Sequence, residues 1–212
     1  MRGVFITFEG VEGSGKSTQA KLLARNLERR GIGCILSREP GGTGIGESIR
    51  SVLLDPDNSS MDARTELFLY LASRNQHVRE KVLPALREGR VVVLDRYAES
   101  SVAYQGGGRE LGEKLVSRLN KFATAALKPD MTFLVDVPVA IGRRRKRTAE
   151  LDRLEQERVE FHERVRNSYL RMARRAPKRI RLLDGTKPEE ELEAEVRNMV
   201  DELLLKKGIG RR

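Results

Sequence analysis

Apolar positions along this chain fall into two alternating rhythms. Short runs of β-branched, aliphatic and aromatic residues at 3–9, 33–38, 91–95, 131–136 and 179–183 predict buried strands. Between them, apolar residues spaced i, i+3, i+4, i+7 predict helices at about 16–30, 60–87, 109–127, 150–175 and 188–206. In the first helix Ala20, Leu23, Ala24 and Leu27 share a face that stops at Gly31. In the third, Leu111, Leu115, Leu119, Phe122 and Ala126 share another, and Pro129 follows its end. The fourth carries Leu151, Leu154, Phe161, Val165 and Met172 on a stripe with charges opposite. Such alternation implies right-handed crossovers and a parallel sheet covered by helices on both faces. No internal repeat and no long linker divides the chain, so residues 1–212 are expected to form one three-layer α/β domain.

Composition narrows the picture. At 39% the hydrophobic fraction is low and at 34% the charged fraction is high, yet the apolar residues are periodic, which excludes a disordered chain. No apolar run approaches the roughly 18 residues of a membrane span. A strand begins almost at once, without a signal-peptide layout. The single cysteine, Cys34, lies in a predicted strand, which excludes a disulfide framework or a cysteine metal cluster. A cytoplasmic setting is expected. The net charge of +10 invites a nucleic-acid reading, but much of the local excess sits in Arg143-Arg144-Arg145-Lys146-Arg147. A phosphate-transfer site needs clustered cations for the same physical reason, so charge alone does not separate the two.

Open parallel sheets collect function beyond the carboxyl ends of their strands, here 9–18, 38–50, 95–109 and the region after 136. The first holds Gly10-Val11-Glu12-Gly13-Ser14-Gly15-Lys16-Ser17, followed by Thr18, a full match to G-x-x-x-x-G-K-[ST]. A strand precedes it and a helix follows, the context in which backbone N–H groups and a helix N-terminus converge on a polyphosphate. Lys16 is then expected at the β/γ-phosphates and Ser17 on Mg²⁺. The chain is read as handling a nucleoside triphosphate.

The second region, Arg38-Glu39-Pro40-Gly41-Gly42-Thr43-Gly44, puts paired charges at a strand end, with Arg50 on a short helix beyond. Tyr70 and Arg74, four apart on one helix, could stack on and hydrogen-bond a base, although such a pair is more often core and solvated face. The third region runs Asp95-Arg96-Tyr97 through Ser100-Ser101 and Tyr104-Gln105 to Gly106-Gly107-Gly108. Asp95 is positioned to help hold Mg²⁺, Arg96 to neutralise phosphate charge, and the glycines to let backbone approach a ligand. The basic run at 143–147 suits a mobile lid at about 142–153 that closes over the triphosphate.

The segments Glu9–Thr18, Arg38–Thr43 and Asp95–Gly108 together resemble the thymidylate kinases, ATP-dependent nucleoside monophosphate kinases that phosphorylate dTMP. The resemblance implies a five-stranded P-loop kinase fold, ATP as donor, Mg²⁺ as cofactor and a homodimer. It implies that Tyr70, where the family usually has phenylalanine, stacks on thymine, that Arg74 contacts the base, and that Ser101, Tyr104 and Gln105 line the acceptor site. Arg38, Glu39, Pro40, Arg50 and Arg96 are implied around the dTMP phosphate, and Glu12 near the sugar 3′-hydroxyl and the metal. Residues 183–188 resemble the segment against which adenine rests. Gly13 in the phosphate loop points to the bacterial-type arrangement, with lid arginines supplying the cation: Arg147 foremost, with Arg144 and Arg145 beside the triphosphate. Another monophosphate kinase is the nearest alternative. A GTPase lacks its Asn-Lys-x-Asp guanine-reading segment here, and a nucleic-acid-binding ATPase has only charge in its favour.

Overall fold

In the computed structural model, which describes residues 3–146 and 151–209, the apolar runs do form a sheet. Five parallel strands are present among the described residues: β1 (Val4–Glu9), β2 (Cys34–Arg38), β3 (Val91–Asp95), β4 (Met131–Asp136) and β5 (Ile180–Asp184). Their order is β2-β3-β1-β4-β5, so β1 is central and the chain reverses direction of growth on either side of it. All six β1 residues are buried, as expected for a strand covered on both faces.

The helices are α1 (Lys16–Arg29), α2 (Gly44–Leu54), α3 (Ala63–His77), α4 (Leu83–Arg87), α5 (Ala98–Ser101), α6 (Glu113–Ala123), α7 (Val139–Arg145), α8 (Val159–Arg175) and α9 (Glu189–Lys207). Helices α1 and α9 cover one face, where Leu23, Leu27, Val196 and Val200 meet Ile6, Val93 and Phe133. On the other, Leu134 packs among residues of α8 and of the 102–108 segment, and Phe5, Val92 and Leu94 pack against the α3–α4 region.

Three expectations need correction. The 150–175 helix begins only at Val159. Before it, the Asp152 carboxylate accepts the backbone N–H groups of Leu154 and Glu155 and makes a turn. The segment after β3 is helical rather than a loop: α5 continues into a π-helical stretch, Val102–Gly108. Its glycines lie against neighbouring helices, Gly107 and Gly108 against α8 and Gly106 against Glu113 of α6. A Cβ on Gly107 would sit 2.8 Å from the Ser168 Cβ, and one on Gly108 2.6 Å from the Phe161 ring.

Candidate active site

The phosphate loop leaves β1 at Gly10 and enters α1 at Lys16. Gly15 caps the helix with φ +93°, a left-handed conformation that favours glycine, and Val11 is buried behind the loop. Gly13 (φ +69°) lies so close to α7 that a Cβ there would meet the Gly142 carbonyl oxygen at 2.2 Å. The loop and the helix leading into the basic run are therefore in backbone contact. Ser14 is buried, while Ser17 and Thr18 are exposed on the first turn of α1.

A cavity of about 180 Å³ opens from this loop, lined by Glu12, Lys16, Ser17, Arg38, Glu39, Pro40, Arg50, Tyr70, Asp95, Arg96, Tyr104 and Gln105 among others. Four chain segments far apart in sequence thus meet at the carboxyl edge of the sheet. At the centre, Arg96 donates to Glu12 Oε1 at 2.8 Å and to the Tyr104 hydroxyl at 3.1 Å. Tyr104 itself donates to Glu12 Oε1 at 2.6 Å, and the Arg96 guanidinium lies 5.0 Å from its ring centre. Arg96 holds φ +71°, an uncommon conformation for a non-glycine residue, at the turn out of β3. Burial pushes the Glu12 carboxyl up, but Arg96, Lys16 and the Tyr104 hydroxyl outweigh it and hold it down to about 2. Burial, with Arg96 nearby, lowers Lys16 to about 8.

Where β2 and α2 line the cavity, Arg50 donates to the Pro40 carbonyl at 2.9 Å and Arg38 to Glu47 at 3.0 Å. Arg74 and Ser101, expected beside a base, do not line the cavity. Arg74 is fully buried and donates to Glu39 Oε2 at 2.6 Å, to Ser101 Oγ at 2.7 Å, to Asn120 and to the Tyr97 carbonyl. Its reach is spent on bracing Glu39, so replacing it removes the partner of a buried carboxylate as well as any ligand contact.

In the basic run, Arg145 donates to the carbonyls of Gly185 at 2.9 Å and Gly13 at 3.3 Å, tying the loop, α7 and the segment after β5 together. Lys146 pairs with Glu155, and Arg143 reaches the Glu157 carbonyl at 3.4 Å. Arg144 lines a second cavity of about 580 Å³, which shares Glu12, Lys146 and Glu155 with the first. Arg147 lies outside the described residues.

The comparisons with known proteins decide the family. The thymidylate kinase family model matches residues 8–196. The chain belongs to the thymidylate kinase family. It is 50% identical over 198 residues to a thymidylate kinase of Desulfosudis oleivorans, covering 89% of this chain and 92% of the relative. It is 49% identical over 199 residues to one of Lacticaseibacillus casei, covering 92% and 93%. The crystal structure of an Ehrlichia chaffeensis thymidylate kinase superposes with a TM-score of 0.78 at 32% identity, over 95% of this chain and 99% of that one.

Around this cavity the sequence reading missed several residues. Tyr169 of α8 donates to Glu9 Oε2 at 2.8 Å and contacts Arg96 at 3.3 Å. Its spacing on an apolar helix stripe reads as core, and nothing in the pattern marks its hydroxyl. His162 stands 3.6 Å from Glu12 Oε2, and Asp152 and Lys146 line the cavity. Glu9, the last residue of β1, accepts the Tyr97 N–H at 2.8 Å and Ser100 Oγ at 2.6 Å beneath Arg96.

Glu9 has a measurable consequence. Burial, and then Glu99, raise its carboxyl from an ordinary 4.5 to about 7, against the hydroxyls of Ser100 and Tyr169 and the charge of Arg96. The unfolded chain therefore releases this proton first, and the stability that Glu9 contributes is lost as pH rises from about 4.5 through 7. Glu9→Gln is expected to remove that component, up to about 3 kcal/mol, so that the variant's melting temperature exceeds the parent's at pH 8 and approaches it at pH 5. A parent-minus-variant difference that is flat from pH 5 to 8 would contradict this.

Proposed function

We propose that this chain transfers the γ-phosphoryl group of ATP to dTMP, giving dTDP and ADP, a step toward dTTP. The observation that carries the reading is continuity: Lys16, Ser17 and Asp95 line the same cavity as Arg38, Arg50, Tyr70 and Gln105. A phosphate-loop protein that only hydrolysed ATP would not need a base-sized compartment with an aromatic ring and an amide opening on its loop.

In this reading a dTMP phosphate oxygen attacks the γ-phosphorus in line, and the bond from that phosphorus to ADP breaks. No covalent enzyme intermediate is needed; positioning and charge stabilisation do the work. The loop from Gly10 to Thr18 cradles the triphosphate and Lys16 meets its β/γ oxygens. Arg38, Arg50 and Arg96 hold the acceptor phosphate, Tyr70 stacks on the base, and Tyr104, anchored on Glu12, lies against the sugar. Arg74 and Ser101 shape the base compartment from behind it, through Glu39 and each other.

Mg²⁺ fits the donors present. Asp95 Oδ1 is buried with no hydrogen-bond partner among the described residues, and Ser17 lines the same cavity. One carboxylate with substrate phosphates is the usual magnesium set. When bound, the ion would neutralise charge on the β and γ oxygens. The reading takes the whole chain as one domain with a lid at about 142–153, working in the cytoplasm, where ATP and dTMP meet.

A coupled ADP-release assay across dTMP, dUMP, AMP, GMP and CMP tests the assignment. dTMP is expected to give the highest kcat/KM; faster turnover of AMP or GMP would overturn it.

The same reading includes a homodimer. Helices α2, α3 and α6 pack in a row and carry exposed apolar side chains, Val52, Phe68 and Phe122, the last 89% exposed. Phe68→Glu with Phe122→Glu is expected to convert a dimer into a monomer by light scattering. A parent that is already monomeric at micromolar concentration would refute the dimer.

A further inference from the structure

Glu66 is a buried carboxylate whose role the phosphotransfer scheme leaves open. It sits in α3 with no exposed surface and does not line the cavity. Its Oε1 accepts the side-chain amide Nε2 of Gln105 at 2.8 Å. Its Oε2 lies 3.0 Å from the Arg109 guanidinium and 2.7 Å from that of Arg153. Arg153 is itself buried and held by the Leu53 carbonyl at 2.9 Å, while Arg109 also pairs with Glu157. A carboxylate between two fixed guanidinium groups accepts hydrogen bonds and does not donate them.

This fixes the orientation of Gln105. An isolated glutamine amide turns over at almost no cost and can offer a cavity either N–H or C=O. Here the nitrogen must face Glu66, because two oxygens turned toward each other would repel. The group left for the cavity, which Gln105 lines, is the carbonyl oxygen. Thymine carries a single hydrogen-bond donor on its ring, N3–H, so an acceptor that meets the base edge can pair with it only there. In the same pose 5-methylcytosine turns a lone pair to that oxygen.

We propose that Glu66 is a specificity-determining positioning residue: by locking the Gln105 amide with its oxygen toward the base, it selects acceptors that carry N3–H over those that carry N3 as a lone pair. The inference rests on the cavity being the dTMP site. Glu66 does not touch the acceptor and acts through Gln105.

The test compares kcat/KM for dTMP and for 5-methyl-dCMP, which keeps the methyl group and the sugar phosphate and changes only the N3/C4 edge. The parent is expected to favour dTMP by on the order of 10⁴, the scale set when a buried polar group would be left facing the wrong partner. Glu66→Gln supplies a neutral amide that can donate or accept, so the Gln105 lock is lost and the preference is expected to fall at least about tenfold. Glu66→Asp keeps the charge between the arginines but draws it back from Gln105 by one methylene; it gives the same readout if the neutral variant does not fold. Gln105→Met is expected to collapse the preference too, and in that background Glu66→Gln should change it no further. An equal loss of kcat/KM for both acceptors in the Glu66 variants, with the preference intact, would reduce Glu66 to scaffold and overturn the proposal. So would a parent that uses both acceptors equally well. A parent that does not phosphorylate dTMP at all fails the functional reading instead.

Discussion

Arg147→Ala is expected to lower kcat by about 10³–10⁵ while changing nucleotide Kd little, the mark of a cation that acts mainly in the transition state. Gly13 sets the requirement. Its φ of +69° and the 2.2 Å approach of a would-be Cβ to the Gly142 carbonyl leave the phosphate loop no room for a side chain there. The cation that meets charge building between donor and acceptor must come from elsewhere, and the basic run after β4 is tethered at the right edge. Within it, Arg145 is engaged by the Gly13 and Gly185 carbonyls, Lys146 by Glu155 and Arg143 by the Glu157 carbonyl. Arg144, lining the adjoining cavity, and Arg147, outside the described residues, remain as the catalytic choices. A mild Arg147→Ala with a severe Arg144→Ala would move the role to Arg144. Near-full kcat in both would show that the run is not a catalytic lid, and salt-dependent nucleic-acid binding should then be measured.

Lys16→Ala is expected to lower kcat/KM for ATP by about 10²–10³, from loss of a preorganised donor at the transferring phosphate. The fold should survive. Among the described residues Lys16 Nζ donates one hydrogen bond, to the Val11 carbonyl at 3.4 Å, and burial pushes the ammonium down to about 8, so the desolvation relieved by its removal offsets the loss of its attraction to Glu12 and Asp95. The melting temperature of the variant is therefore expected to equal or exceed the parent's. A variant that unfolds would mean that Lys16 holds the loop instead of the nucleotide; one that keeps parental activity would remove the lysine from the reaction.

How far the sequence could be read follows from the physics of each element. The strands were legible because both their faces are buried, so Val91 to Leu94 had to be apolar throughout. The phosphate loop was legible because glycine, lysine and serine are required there at fixed spacing. The helix at 98–108 was not: serines and three glycines carry the composition of a loop, and tertiary contacts explain them, Gly107 and Gly108 against Ser168 and Phe161 of α8, Gly106 against Glu113 of α6, and Ser100 and Ser101 bonded to Glu9 and Arg74. Nor was the turn at 152–155, because Leu151 and Leu154 continue a helical stripe that the Asp152 side chain interrupts by capturing backbone N–H groups. For Arg74 the family resemblance implied a contact with the base, whereas four engaged donors, to Glu39, Ser101, Asn120 and the Tyr97 carbonyl, make it the brace for Glu39. The Glu66–Gln105 contact joins α3 to the π-helical stretch, and no local pattern announces a pairing of that kind.

The most direct measurement is chromatographic quantification of every nucleotide after incubation with ATP, Mg²⁺ and dTMP. One dTDP formed for each ADP released, with no accumulation of inorganic phosphate, is the expected result. ADP and inorganic phosphate without dTDP, whether or not DNA is added, would contradict the account.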